Sequence, residues 1–148
     1  MFTRHGAIFV SLPIVLSCDK IKHDNQKVNT IQELQKTVPQ KGTVDNFLKT
    51  LADKTGQDHN KLDMVYFACP KGCDIHVNKL DSEKYTNTSF LIPIMLPGKE
   101  REAIFIYGKD YHKVHEEKVY QFDHSVPHGL VVSNFIDGCA VIMVAVKR

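Results

Sequence analysis

The sequence has no dense block of lysine and arginine, no apolar run long enough for a membrane-spanning helix, no internal repeat and no low-complexity tract. Each absence removes a class of function. The 19 basic and 17 acidic residues are dispersed along 148 positions and leave a net charge of +2. Such a chain presents no concentrated field for a run of phosphates, so nucleic acid is not expected as a partner. The apolar stretch from Ala7 to Leu16 counts ten residues, about half of what a helix needs to cross a bilayer. Without a repeat the chain reads as one compact domain. Its 43% hydrophobic and 24% charged residues are enough to bury a core.

What is there begins with an N-terminal segment that supports two readings. Arg4 followed by Ala7 to Leu16, and then by Val15-Leu16-Ser17-Cys18, has the basic start, apolar run and small-residue end of a secretory leader. The last four residues resemble the lipobox of bacterial lipoproteins, with Cys18 as the lipidation candidate, which places the protein outside the cytoplasm, secreted or in the cell envelope. Any membrane association would then pass through that lipid anchor. Alternatively, Ile8 to Leu16 is the first strand of the domain, with Pro13 confining it to an edge. The organisation is read as residues 1–18 a candidate leader, 19–29 a polar linker, and 30–148 a single α+β domain.

Thr30 and Glu33 form a capping-box pair before a short helix that stops at Pro39. A second helix follows from Thr43, with Val44, Phe47, Leu48 and Leu51 on one face and a left-handed exit at Gly56. From Leu62 the period shortens to two. Strands are expected at 63–68, 74–77, 89–95, 102–107, 118–122, 129–132 and 140–146, with Cys69-Pro-Lys-Gly-Cys73 as a hairpin turn between the first two. The fold class is therefore α+β: two N-terminal helices packed on a core of about seven strands, in one sheet or two.

Cys69, Cys73 and His76 have the spacing C-x3-C-x2-H, which suits zinc at a turn, but a fourth ligand and a second matched pair are missing; no metal and no cofactor are expected. In an exported protein Cys69 and Cys73 could instead pair as a disulfide. His112, His115, Glu116 and Glu117 lie in a mostly charged stretch, 109–118, read as a solvated loop or turn. The most informative position is Cys139, reached through Asp137-Gly138 and flanked by apolar strands. A cysteine becomes a nucleophile as thiolate, which requires an exposed sulfur, backbone N–H groups aimed at the charge and a base. A glycine corner can supply the bend and an oxyanion hole. The same residues also suit a small apolar side chain opening a buried strand.

Ile136-Asp-Gly-Cys139, with Ser133 six residues before the cysteine, resembles the nucleophile turn of the bacterial cysteine glutamine-deamidase toxins typified by Burkholderia lethal factor and the cytotoxic necrotizing factors. Met64 to Val77 and Phe90 to Pro97 resemble that group's strand–turn–strand and the apolar strand after it. The likeness covers roughly residues 60–146. It implies a β-sandwich core flanked by helices and a virulence hydrolase that converts a glutamine carboxamide of a host protein, of the GTPase or translation-factor class, to glutamate. Cys139 would attack the carboxamide carbon and Ser133 would hydrogen-bond near the sulfur or the oxyanion. Two positions depart from the pattern: Asp137 stands where the group has serine, and no histidine follows Cys139 in the nine residues to Arg148. The base would then be His124 or His128, or the protein would be a truncated or inactive member. The alternative function is a lipoprotein with a non-catalytic, β-rich binding domain.

Overall fold

A computed structural model describes residues 8–22, 41–69, 73–77, 79–132 and 139–148. The chain is α+β, with helices on one side of two packed antiparallel sheets. In chain order the elements are β1 (Val10–Val15), α1 (Asp19–Lys22), α2 (Lys41–Thr55), a 3-10 turn at His59–Lys61, β2 (Leu62–Cys69), β3 (Cys73–His76), β4 (Tyr85–Met95), β5 (Glu102–Tyr107), β6 (Asp110–His115), β7 (Lys118–Asp123), β8 (His128–Val131) and β9 (Cys139–Lys147). The first sheet has the order β1-β7-β4-β9-β2 and the second β3-β8-β5-β6.

The first sheet is buried on both faces along its interior strands β4 and β9. Along β9, Ala140, Ile142, Val144 and Val146 pack with Phe47, Leu48, Leu51 and Ala52 of α2. Cys139, Val141 and Met143 point the other way and pack with Phe105, Leu130 and Val132 of the second sheet's side. This is the period of two with apolar residues on both faces, which is why 140–146 reads as a continuous apolar run. Each side chain of that size contributes about 1.5–3 kcal/mol on leaving water. The second sheet is covered on one face only, so β5 alternates: Ala103, Phe105 and Tyr107 are buried, and Glu102, Ile104 and Ile106 are half-buried.

Two tyrosines stitch the sheets together. Tyr120 of β7 accepts a hydrogen bond from the His115 backbone N–H of β6 at 2.8 Å, and Tyr107 of β5 accepts one from the Asp123 N–H of β7 at 2.9 Å. Each phenol satisfies a main-chain donor across the gap while its ring stays in the apolar layer.

Four features differ from the sequence-based expectation. The stretch 109–118 is not a loop: Tyr107 pairs with Asp110 around a two-residue turn at Gly108 and Lys109, and β6 runs antiparallel to β5. Gly108 takes φ of 61° there, which a side chain would resist. β6 is charged because it is the sheet's edge with a solvated outer face. β1 pairs with β7 at the first sheet's edge, in line with the alternative reading of Ile8 to Leu16 as an edge strand, and the difference is α1, which occupies the first residues of the expected linker. β2 and β3 do not form a hairpin, since β2 pairs with β9 in the first sheet and β3 with β8 in the second. α2 begins at Lys41, ahead of the expected cap Thr43. The expected helix at Thr30 to Pro39 lies outside the described residues. Gly56, at φ 73°, does end α2 as expected.

Glu116 and Glu117, between β6 and β7, serve as an anchor point. The Glu117 backbone donates to Pro93 O at 2.9 Å, its carbonyl accepts from Leu16 N at 2.8 Å, and its carboxylate accepts from Cys18 N at 2.8 Å. The Glu116 carboxylate accepts from Leu96 N at 2.8 Å and pairs with Arg101 at 3.0 Å. One acidic turn thereby fixes both the N-terminal segment and the exit of β4.

Candidate functional site

Cys139 opens β9, an interior strand between β4 and β2, and its parity with Val141 and Met143 aims it between the sheets. It is 0% exposed. Burial pushes its thiol up to about 11, because a thiolate there would lose its hydration. The neutral thiol therefore dominates at physiological pH. Ser133 and the turn residues Ile136, Asp137 and Gly138 lie outside the described residues.

The two imidazoles proposed as bases are both buried, at 3% exposure for His124 and 4% for His128. His124 Nδ1 lies 2.6 Å from Ser89 Oγ of β4, and its backbone N–H donates to Asn87 O at 3.1 Å. Burial lowers the pKa of His124, with Asp123 pulling weakly the other way. Ser89 stands opposite Ala145 of β9, six residues from Cys139. At about 3.4 Å per residue this is roughly 20 Å along the strand. His128 Nδ1 donates to Val126 O at 2.7 Å, and its ring lies 5.1 Å from Phe122, which itself stands opposite Ser89. Both imidazoles thus lie toward the Ala145 end of the first sheet, whereas the sulfur is at the other. The structure does not bring Cys139 together with His124 or His128.

Ser89 and His124 form the hydroxyl–imidazole contact that the sequence reading missed. A signal existed: Ser89 opens the apolar run Ser-Phe-Leu-Ile-Pro-Ile-Met, and a hydroxyl inside a buried strand needs a partner. The pair has the chemistry of a nucleophile and its base, but with Ser89 at 0% exposure a substrate has no approach. It acts as a satisfied polar link between β4 and the turn after β7.

Cys18 is also a core residue, at 0% exposure, with its thiol directed to Leu16 O at 3.6 Å. Acylation of its sulfur would require the residue to leave this packing and its hydrogen bond to Glu117. Cys69 ends β2 and Cys73 and His76 bound β3, in different sheets, and their side chains lie outside the described residues. Among the described residues no group of three His, Cys, Asp or Glu side chains is arranged to hold a metal ion. His112 packs under the ring of Phe9 at 4.4 Å, and His115 lies 3.7 Å from Glu102 on the outer side of the second sheet.

The surface carries an open cleft of about 350 Å³ between the N-terminal segment and α2, with Leu16, Lys20 and Ile21 on one wall and Thr43, Asn46 and Phe47 on the other. A second hollow of about 410 Å³ lies between β1 and the end of α2, at Leu12, Ile14, Lys54 and Gln121. The first has an apolar floor, since Leu16, Ile21 and Phe47 are buried, and a polar rim in the exposed Lys20 and Asn46. That combination is typical of small-molecule sites.

No family model matches the sequence, and no curated protein matches it. Among solved structures, the crystal structure of protein NMB1881 from Neisseria meningitidis aligns over 60% of this chain and 77% of its own, at 10% identity and a TM-score of 0.43. A likeness at that level leaves the functional reading to the geometry.

Proposed function

We propose that this domain is a non-catalytic binding module whose ligand seat is the cleft between the N-terminal segment and α2. The observation that carries the reading is the burial of Cys139, whose thiol is pushed up to about 11 in a layer closed to water. A glutamine deamidase acting through this sulfur would need it at the surface beside an imidazole. The cleft offers an apolar floor with the ammonium of Lys20 at its rim, which suits a small amphipathic molecule carrying negative charge.

Alkylation of the native protein with iodoacetamide tests the first half. Cys139 should stay unmodified at neutral pH and react fully in denaturant, and glutamine-containing protein substrates should release no ammonia. Rapid alkylation of native Cys139, with ammonia release abolished in Cys139→Ala, would establish the hydrolase instead. Anilinonaphthalene sulfonate, an amphipathic anion, probes the second half. Its fluorescence on the native protein should drop in Lys20→Glu and in Asn46→Trp, which fills the cleft from an exposed position; unchanged fluorescence in both would remove the cleft from the reading.

A further inference from the structure

The two surface hollows lie end to end along α2. Leu16, Ser17, Lys20 and Ile21 line the first with Thr43 to Thr50, and Leu12, Pro13 and Ile14 line the second with Lys54 and Thr55, so the N-terminal segment passes both while running antiparallel to the helix. On the helix side Thr43, Asn46, Phe47, Thr50 and Lys54 follow one another at i, i+3, i+4, i+7 and i+11, which is a single stripe. From Thr43 to Lys54 that stripe is about 16 Å long, at about 1.5 Å per residue.

We infer, resting on the binding reading above, that the hollows are two sections of one furrow and that its ligand is a long-chain fatty acid, with the carboxylate beside Lys20 and the alkyl chain laid toward Lys54. Hydrogen-bond donors gather at the first section. The Lys20 ammonium balances the negative charge of a carboxylate, and the Ser17 hydroxyl and Asn46 amide can donate to its oxygens. Further along α2 the hydroxyls are spent on the helix itself: Thr50 Oγ1 donates to Asn46 O at 3.0 Å and Thr55 Oγ1 to Leu51 O at 2.7 Å. Those threonines offer a ligand methyl groups rather than protons.

The floor is apolar along the whole length, since Leu12, Ile14, Leu16, Ile21 and Phe47 belong to the same layer between α2 and the first sheet. An alkyl chain lying there leaves water in proportion to its length, so affinity should grow with each methylene that reaches the second section. Lys54 and Gln121 close that end. The exposed Lys54 can lay its methylene stem over the tail while its ammonium stays hydrated.

Calorimetric titration of the full chain with hexanoate, dodecanoate and dodecanol tests the inference. Dodecanoate should bind at least about tenfold more tightly than hexanoate, because its added methylenes enter the second section. It should bind about fivefold more tightly than dodecanol, which has the length without the charge. Lys54→Trp fills the second section from an exposed position and should reduce dodecanoate to the affinity of hexanoate while leaving hexanoate unchanged. Lys20→Glu should weaken both carboxylates and spare dodecanol. Equal affinity for the two chain lengths, dodecanol binding as tightly as dodecanoate, or a Lys54→Trp variant that keeps the advantage of the longer chain would overturn the inference. So would co-sedimentation with phosphatidylcholine vesicles, which would give the furrow to a membrane surface. Anilinonaphthalene sulfonate fluorescence that depends on Lys20 and Asn46 while dodecanoate fails to bind would sink the fatty acid and leave the binding module standing; loss of both signals would sink both.

Discussion

The two sheets follow different rules. The first is covered by α2 on one face and by the second sheet on the other, and its interior strand β9 is buried from Cys139 to Val146. The second has one covered face, and its strands β5 and β6 mix buried and exposed positions, with Tyr111 at 76% exposure. A doubly covered strand has no solvent side on which to place charge, whereas a singly covered one needs polar residues outward to stay soluble. The comparison therefore predicts where the molecule is fragile and where it is tolerant.

The largest contrast is expected between matched truncations. Ile142→Ala in β9 removes a fully buried side chain from under α2 and should cost about 2–5 kcal/mol in urea unfolding. Ile104→Ala, on the half-buried outer face of β5, should cost about 1 kcal/mol or less. Equal costs would break the distinction between the sheets.

A smaller effect is expected at the seam between them. Burial holds His124 below its ordinary value of 6.5, so the folded domain keeps the imidazole neutral while the unfolded chain accepts the proton first. As pH falls through 6.5 the unfolded state binds more protons, so the stability from neutral His124 is complete above 6.5 and declines below it. The decline ends once pH drops below the folded value. Urea midpoints measured from neutral to mildly acidic pH should fall more steeply in the wild type than in His124→Asn, and parallel curves would count against a neutral buried imidazole.

The smallest effect is expected on the open face. Glu102→Gln removes contacts at 3.7 Å with both Lys113 and His115, all partly exposed, and should change stability by less than about 1 kcal/mol, with that little screened further by salt. A larger, salt-independent loss would show that the outer face of the second sheet is covered after all.

These rules explain what could be read from the residues. The apolar run 140–146, the alternation at 102–107, the apolar face of α2 and the exit at Gly56 each carry a local signature, and each is where it was expected. β6 was hidden because its charges, read locally, look like a loop; only pairing with β5 makes them an edge. The separation of β2 and β3 into different sheets has no local signature at all, since a Pro-Gly turn serves a hairpin or a crossover equally. At the candidate site, the glycine before Cys139 looks the same whether the sulfur meets solvent or the gap between sheets. Its parity with Val141 and Met143 held the answer. The partner of His124 is 35 residues away and depends on tertiary pairing.

The position of β9 between β4 and β2 also has a consequence for how the chain comes into being. Translated in order, β2 and β4 leave the ribosome before the strand that must lie between them exists. Both then wait with bare main-chain edges and apolar faces, exposed to wrong partners until β9 slots in. Folding should accordingly be slow and wait on β9, and holding chaperones would have most to do in that interval.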